Sequence, residues 1–322
     1  MTTPIETAGF RAATGTQFTL ARGDATAIIT ALAAGLRHYD KGGTALVEDY
    51  PLDAIAPGAA GITLAPFANR VDGGRWELDG VAQQLDITEV PHNNAIHGLL
   101  RNVGYTALEH TATHVLLEAV IHPQHGYPFL ARHQVRYELG AAGELRVAQT
   151  LINDSARPAP FVLGAHPYFT LGGVAPEDLR ITVHADTALT ANERMIPTGT
   201  APVSGRHDLR GGKALPESLM DTCFTDLHTD DGVARHTLDA ADGRSVGLWH
   251  DGSVSHVHVY ITDRFPGRSL AVAMEPMTGP ANAFNSGDGL RWLEPGESFT
   301  MNWGIDAQLA VQPDPCAGVA PR

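Results

Sequence analysis

The sequence predicts an all-β fold, a single large antiparallel β-sandwich. Short stretches of alternating or β-branched residues recur along the chain, and Gly, Pro, Asn and Asp separate them. No window of ten or more residues shows the i, i+3, i+4 apolar spacing and capping residue of an amphipathic helix. The 34 glycines and 21 prolines also disfavour long helices.

Three pairs of alternating segments with a glycine-containing turn between them are typical of β-hairpins. They are 75–81 with 84–87 around Asp79-Gly80, 132–139 with 144–152, and 236–238 with 245–249 around Asp242-Gly243. Three further segments predict single strands, at 114–121, 256–261 and 269–274. The last of these is apolar after Ser269, so we expect it at the centre of a sheet.

The 322 residues fit one large all-β domain, and no linker-like segment interrupts the body of the chain. We therefore expect one catalytic β-sandwich domain at 17–310. Residues 1–16 are small and polar and predict an irregular N-terminal segment. Residues 311–322 combine Pro, Gly and Ala with little hydrophobic bulk and predict a flexible tail.

The composition excludes several partners. A net charge of −14 repels nucleic acid and anionic lipid, so neither is expected to bind. No run approaches the ~18 apolar residues of a membrane helix. The N-terminus lacks a basic region followed by an apolar stretch, so we expect a cytoplasmic protein without a secretory signal. Two cysteines, Cys223 and Cys316, do not suggest a disulfide framework.

Four segments place polar residues among apolar, Gly- and Pro-bounded neighbours, at 64–70, 93–98, 164–169 and 271–278. Glu275 ends the apolar strand and precedes a proline, where poor access to solvent would raise its pKa. The alternative is a strand-end glutamate that points into water.

His166 lies in the 164–169 segment, and Pro167 biases its backbone toward an extended conformation. The aromatic residues that follow could form a platform for one face of a sugar. The alternative is a hydrogen-bonded core histidine, which on these residues alone is the commoner outcome.

Arg70 offers a fork of donors beside Asn69 that suits hydroxyl or carboxylate oxygens. The alternative is a surface ion pair. His97 stands among loop-type residues in the second segment.

Metal binding is a weaker interpretation. The pairs His92 with His97 and His256 with His258 could each contribute to a zinc or iron site with a carboxylate. Neither spacing belongs to a strong metal signature, and sixteen histidines produce such pairs by chance. The sequence also lacks a phosphate-binding glycine loop, a dinucleotide fingerprint and a Gly-x-Ser-x-Gly nucleophile elbow. We therefore predict neither a metal nor a cofactor.

Taken in order, five segments resemble the aldose 1-epimerase (mutarotase) family. They are PFANRVDGG at 66–74 with the WELDG that follows, NAIHGLLR at 94–101, GAHPYF at 164–169, MDTCF at 220–224, and EPMTGPANAFNSGDGLRWLEPGES at 275–298. Each segment alone is a weak signal, but the ordered set is specific and the resemblance runs from about residue 20 to about residue 306. It implies a galactose mutarotase-like supersandwich with an open cleft on one sheet, and no metal or cofactor.

The resemblance also implies roles for individual residues. It assigns the general base to Glu275, the general acid to His166, the binding of sugar hydroxyls and ring to His97, Arg70 and Asp221, and the support of that arginine to Asn69. It implies an isomerase that interconverts the α and β anomers of a hexose. Two alternatives stay open: an epimerase for an anionic hexose, such as a 6-phosphate or 6-sulfo sugar, and a non-catalytic sugar-binding protein.

One loop departs from the galactose-type pattern. After His97-Gly98 that pattern has a second Gly and then a Gly-Phe pair, whereas this chain has Leu99-Leu100-Arg101-Asn102. Tyr105 stands where a tryptophan is often found. The loop is more similar to a less-characterised bacterial branch, so the sugar stays open, as does the formation of a homodimer.

Catalysis by this pair requires an ionised Glu275 and a protonated His166 together. Ordinary pKa values near ~4.3 and ~6.5 predict that both forms coexist between those values. A nearby carboxylate such as Asp221 would raise the histidine pKa and extend the window upward.

Overall fold

The structure is a computed structural model that describes residues 11–215 and 219–309. Residues 11–16 contain no strand or helix. The rest of the predicted N-terminal segment and the predicted tail at 311–322 lie outside the described residues.

Strands dominate the chain. The first thirteen are β1 (Gln17–Arg22), β2 (Ala25–Thr30), β3 (Leu36–Lys41), β4 (Thr44–Ala45), β5 (Thr63–Leu64), β6 (Arg70–Asp72), β7 (Arg75–Leu78), β8 (Val81–Gln84), β9 (Asn94–Ile96), β10 (Thr106–His110), β11 (His114–Ile121), β12 (Ala131–Leu139) and β13 (Leu145–Asn153). The next fourteen are β14 (Ala159–Phe161), β15 (Gly164–Ala165), β16 (Tyr168–Phe169), β17 (Leu179–Val183), β18 (Ala185–Ala191), β19 (Pro197–Pro202), β20 (Lys213–Ala214), β21 (Met220–Leu227), β22 (Val233–Ala240), β23 (Ser245–Asp251), β24 (His256–Thr262), β25 (Ala271–Met277), β26 (Arg291–Leu293) and β27 (Ser298–Gln308).

Helices are short. Within the described ranges the α-helical structure is one turn, α1 (Ala283–Ser286), and four 3₁₀ turns lie at Pro57–Ala59, Val90–His92, Pro176–Asp178 and Gly205–His207. No helix in these ranges is long and apolar enough to cross a membrane.

Two large sheets form the body of the protein. One has nine strands in the order β10-β11-β12-β13-β27-β23-β22-β17-β20. The other has eight, in the order β19-β18-β21-β24-β25-β15-β5, with β16 also paired to β25. Neighbouring strands in both sheets are antiparallel. The predicted antiparallel all-β class is therefore confirmed.

Most of the predicted strands are confirmed as well. The three hairpins correspond to β7–β8, β12–β13 and β22–β23, and the single strands correspond to β11, β24 and β25. The first hairpin turns at Asp79-Gly80 as predicted, but its second strand is β8 at 81–84, so the strand predicted at 84–87 was wrong beyond Gln84. In β12 every second residue is buried and the intervening ones are half-buried, as expected when successive side chains of a strand point to opposite faces.

The main apolar core lies between the two large sheets. It joins Val135 and Leu151 of the nine-stranded sheet to Val257, Val259 and Met274 of the eight-stranded sheet. Each fully buried side chain of this kind contributes about 1.5–3 kcal/mol relative to an exposed one. The core therefore anchors β24 and β25 from one side and leaves their opposite face for other contacts.

That opposite face is also covered. Nearly every residue of β24 and β25 is buried, in contrast to the alternation in β12. Because side chains alternate, His258 of β24 and Glu275 of β25 point away from the core that contains Val257 and Met274. Two smaller apolar clusters flank this face, one around Met277 and one around Ala273. Polar side chains are thereby enclosed without entering the main core.

Candidate active site

Glu275 lies between two histidines in the register of the eight-stranded sheet. On one edge of β25 it pairs with His258 of β24. On the other edge Gly164 pairs with Met277 and Tyr168 pairs with Ala273, and these two pairs share one register. That register places His166 opposite Glu275, with Nε2 of His166 3.3 Å from Oε1 of Glu275.

The pairing is interrupted at His166 itself. β15 ends at Ala165 and β16 begins at Tyr168, so the residues of β25 between Ala273 and Met277 have no strand partner on that edge among the described residues. Pro276 falls in this interval, where its missing N–H costs no ladder bond on that edge. Glu275 was expected to end its strand; that was wrong, because the gap lets β25 continue through Pro276 to Met277.

Aromatic rings surround His166. Its ring stacks on Tyr168 with centroids 5.1 Å apart, and His97 meets it edge-on at 5.2 Å. The half-buried ring of Tyr260 lies 6.4 Å away. Of the two aromatic residues expected to form a platform, Tyr168 is at the site, whereas Phe169 packs in the main core because adjacent strand residues face opposite ways.

A tight loop after β9 places His97. Its backbone has φ +65°, and its N–H donates to the carbonyl of Asn69. At Gly98 the φ is +77°, and a Cβ there would lie 2.1 Å from the carbonyl oxygen of Ala65. Only glycine permits this approach, which explains the His-Gly pair in the sequence.

Arg70 is buried and its guanidinium is almost fully used. Nε and Nη2 each donate to Glu89 at 2.9 Å, and Nη2 also contacts Asp221 at 3.4 Å. Nη1 donates to Oδ1 of Asn69 at 3.3 Å. Since a guanidinium has five N–H groups, one N–H of Nη1 remains for a ligand. The sequence did not single out Glu89, because nothing in its local pattern indicates a buried partner for Arg70.

His258 completes the cluster. Its Nε2 lies 2.6 Å from Oδ1 of Asp221, and its Nδ1 lies 3.5 Å from Nδ2 of Asn69. The sequence indicates this histidine only as half of a metal-binding pair. The signal that could have found it is the alternation of β24, which places His258 on the face opposite the apolar core.

Burial controls the protonation of the catalytic candidates. It raises the pKa of Glu275 to about 7, although the positive charge of His258 opposes this shift. It lowers the pKa of His166 to about 3, and the charge of His258 acts in the same direction. The expected window, with an ionised Glu275 and a protonated His166 between ordinary pKa values, is therefore wrong, because burial reverses the order of the two pKa values.

For His258 and Asp221, the interaction between the two side chains outweighs burial and stabilises the charged form of each. Burial alone would lower the pKa of His258, but its hydrogen bond to Asp221 raises that pKa to about 10. Burial alone would raise the pKa of Asp221, but the same bond and the charge of Arg70 hold it well below its usual range. This pair is an ion pair at neutral pH.

Three buried polar atoms at the site have no hydrogen-bond partner among the described residues. They are Nδ1 of His97, Nδ1 of His166 and Oε2 of Glu275. Buried polar groups are almost always paired, and an unmet one costs ~1–3 kcal/mol. The hydroxyl groups of a bound sugar are suitable partners, since each one can both donate and accept.

All six residues predicted for the site lie in this one cluster, and their individual roles stay predictions. The proposed metal pairs do not form: His92 contacts Glu89 at 3.0 Å, and His258 pairs with Asp221. In the described part of the chain no three His, Cys, Asp or Glu side chains are arranged to hold a metal ion.

A separate surface cavity of about 860 Å³ contains none of the six residues. It is lined by Asp72, Gly73, Arg75, Gln84, Leu85, Asp86, Ile87, Asn93, Arg194, Asn282 and Asn285. The side chains of the candidate site are mostly buried, and its most accessible carboxylate is Asp221 with a side chain 24% exposed.

The arrangement of sheets defines the protein as a galactose mutarotase-like β-sandwich. It is similar to a galactose mutarotase-like protein from Clostridium acetobutylicum, with a TM-score of 0.80 and 18% identity over 90% of this chain and 94% of that one. An aldose epimerase homologue from C. elegans has a TM-score of 0.79 and 20% identity, over 91% of this chain and 98% of its own. At these identities the likeness concerns the fold.

The chain belongs to the aldose 1-epimerase family, whose sequence profile matches residues 17–305. It is 32% identical to the uncharacterised protein YihR of Escherichia coli over 91% of this chain and 94% of that protein. It is also 35% identical to human galactose mutarotase, a match that covers 50% of this chain and 48% of the human protein. Family and fold together support an isomerase of the mutarotase type.

Proposed function

We propose that this protein is an aldose 1-epimerase that interconverts the α and β anomers of a hexose, with Glu275 as general base and His166 as general acid. The observation that carries the proposal is the 3.3 Å separation of these two side chains within a cluster of buried polar residues. Family membership supports the reaction type.

Ring opening needs one proton removed from the C1 hydroxyl and one proton added to the ring oxygen. Glu275 removes the proton from the C1 hydroxyl while His166 protonates the ring oxygen, and the C1–O5 bond breaks to give the open-chain aldehyde. Rotation about C1–C2 presents the other face of the aldehyde. On closure His166 takes its proton back from the O5 hydroxyl and Glu275 returns its own to O1. Each positioned proton transfer contributes typically ~10²–10⁴-fold.

The pair therefore carries a single proton throughout the cycle. Burial favours that proton on Glu275, which is the distribution that follows ring opening. The closed sugar needs the opposite distribution. Hydroxyl groups that pair with Oε2 of Glu275 and Nδ1 of His166 stabilise the charged forms, since hydrogen bonds to a charged group favour it.

The neighbouring residues hold the sugar. Asp221 offers a carboxylate oxygen, Arg70 its remaining Nη1 donor, and His97 its unpaired Nδ1. Asn69 contacts Arg70 and so supports it rather than the sugar. The stacked rings of His166 and Tyr168 give the site an aromatic wall.

The experiment follows the approach of pure α-glucose and α-galactose to anomeric equilibrium by polarimetry, with NMR exchange as a second readout. Wild-type protein should accelerate both above the buffer rate, and Glu275→Gln should remove nearly all of the acceleration while sugar binding survives. An unaffected rate in Glu275→Gln would reject that base. Wild-type protein that binds sugar without acceleration would instead support a non-catalytic sugar-binding protein.

A second candidate is an epimerase for an anionic hexose, and Arg101 favours it. This half-buried side chain has one weak contact, from Nη1 to the carbonyl of Ile96 at 3.4 Å, and no ion-pair partner among the described residues. Burial lowers its pKa, and its charge lowers the pKa values of His97 and His166. Arg70, by contrast, is already neutralised by Glu89.

The two candidates separate when rates are compared on glucose, galactose, a hexose 6-phosphate and a 6-sulfo hexose. If the substrate is anionic, Arg101→Met should lower kcat/KM on the charged sugars and leave the neutral ones nearly unchanged. Equal effects on all four sugars would reject an anion-binding role for Arg101.

A further inference from the structure

His258 is a buried histidine that lies between two carboxylates. Its Nε2 is 2.6 Å from Asp221, and its position on β24 is directly opposite Glu275 on β25. A bond of this length between a ring N–H and a carboxylate is typical of a charge-assisted hydrogen bond. The side chain is 8% exposed, so water screens its charge poorly.

We propose that His258 is a positioning residue of the reaction: as a buried imidazolium it orients Asp221 and supplies the positive charge that stabilises the carboxylate form of Glu275. This inference rests on the proposed epimerase function. It adds a residue that acts through the base and a binding carboxylate rather than by contact with the sugar.

The other cation near Glu275 is less able to supply that charge. Arg70 already shares its guanidinium between Glu89 and Asp221. Its influence on Glu275 is the smallest of the four that act on this carboxyl group, whereas that of His258 follows directly after burial. Without His258 the cation left to act on the buried carboxylate of Glu275 would be Arg70, whose guanidinium is already shared between Glu89 and Asp221.

The charged and titratable groups that face His258 and Glu275 come from several elements. They are Asp221 and Cys223 on β21, Arg70 on β6, Tyr168 on β16, His166 between β15 and β16, and His97 after β9. Among the histidines in this group, His258 has a raised pKa, while burial lowers the pKa values of His97 and His166. His258 is therefore the histidine of the site that is charged at neutral pH.

Removal of the charge has a predictable direction. The positive charge of His258 lowers the pKa of both Glu275 and His166, so its loss raises both. The pair then keeps its single proton to higher pH. The decline of kcat/KM at alkaline pH should therefore shift to higher pH, whether Glu275 or His166 carries the proton.

The test compares the pH dependence of kcat/KM for His258→Gln and wild type on the sugar that wild type converts fastest. Glutamine keeps a donor for Asp221 but has no charge. We expect the decline of kcat/KM at alkaline pH to shift to higher pH by about 1 unit or more, which is the size of shift that loss of an adjacent opposite charge produces. We also expect kcat to fall, because Asp221 loses the charged partner that orients it.

His256→Gln is the matched control. His256 lies two residues away on the same face of β24, is also buried, and has the hydroxyl of Ser255 as its partner at 2.8 Å. This variant should leave the alkaline limb in place. A fall in kcat for His258→Gln with an unmoved limb would show a merely structural role and overturn the proposal, as would a variant indistinguishable from wild type.

If His258→Gln does not fold, His258→Asn and ¹⁵N NMR of the wild-type histidine rings replace it. At pH 8 the ring of His258 should carry protons on both nitrogens, and a neutral ring would overturn the proposal. Wild-type protein without any mutarotation activity would instead reject the epimerase function, so the two failures are distinguishable.

Discussion

Glu89 binds the guanidinium of Arg70 through two nearly parallel hydrogen bonds, from Nε to Oε2 and from Nη2 to Oε1, each 2.9 Å long. This geometry fixes the plane of the guanidinium and directs Nη1 toward Asn69 at 3.3 Å. Arg70 thereby enters the site as an oriented donor whose charge is already compensated.

Loss of Glu89 should therefore be costly. Glu89→Ala leaves a buried arginine with only Asp221 as its ionic partner, and breaking a buried pair costs about 3–5 kcal/mol. We expect a loss of that order in urea unfolding, with a lower kcat/KM. The control is Glu109→Ala, which removes an exposed ion pair to Arg136 and should cost no more than about 1 kcal/mol. Equal losses in the two variants would contradict the role given to Glu89.

Gly98 should tolerate no side chain. In Gly98→Ala the new Cβ would meet the carbonyl oxygen of Ala65 at 2.1 Å, so the loop that carries His97 must move. Gly80 has the same φ of +77°, but no atom lies within 4 Å of the place where its Cβ would stand, so Gly80→Ala isolates the cost of the backbone conformation, about 1–2 kcal/mol. We expect a clearly larger loss of stability and activity for Gly98→Ala, measured by thermal unfolding and mutarotation. Equal losses of stability and activity in the two variants would show that the loop around Gly98 can move without additional cost.

Activity should decline as the pH rises above about 7. The proposed catalytic pair needs one proton, and burial raises the pKa of Glu275 to about 7 while it lowers that of His166 to about 3. The singly protonated pair therefore exists between these values and is lost as Glu275 ionises. The measurement is kcat/KM from pH 5 to 9, corrected for buffer catalysis. A kcat/KM that keeps increasing to pH 9 would contradict the requirement for one proton on the pair of Glu275 and His166.

Stability should fall as the pH falls below about 6.5. Nε2 of His236 lies 3.2 Å from Nε2 of His250 in the core, and burial lowers the pKa of His236 to about 3. The unfolded chain then binds more protons than the folded one, so acid favours unfolding. Two pH units below 6.5 correspond to about 2–3 kcal/mol from this group, at 1.36 kcal/mol per unit.

The measurement for this pair is urea unfolding at pH 7.5 and 4.5. His236→Gln should show a smaller difference between the two conditions than wild type, because it removes one of the groups that must gain a proton. His122→Gln, at an exposed position, should keep the wild-type difference. A His236→Gln variant with the full wild-type difference would show that the pair does not contribute.

The local sequence pattern was sufficient to predict the positions of most strands, but not where each strand ends in the sheet. The alternation of 114–121 and the β-branched run at 256–261 predict β11 and β24 because side-chain direction depends on neighbours in sequence. The extension of β25 past Pro276 depends on a gap between β15 and β16, which no local pattern contains.

At the site, too, some features could be predicted from the sequence and others required the fold. The residues of the family motifs could be chosen from the sequence, and the structure brings them together. Glu89 could not be chosen, because its importance depends on Arg70, 19 residues away along the chain. The alternation of β24 could have placed His258 on the polar face, but not beside Asp221. The reversed pKa order of Glu275 and His166 also required the fold, since burial is a tertiary property.

The position of His166 opposite Glu275 has a consequence for the evolution of the site. Glu275 stands on β25 and His166 stands in the gap between β15 and β16, which pair with β25 in one register, so backbone geometry sets the distance between the proposed acid and base. The loop at 99–102 lies outside that sheet and can change its residues without altering this distance. Transplanting loops between relatives should therefore change which sugar is accepted while the proton-transfer chemistry is inherited intact.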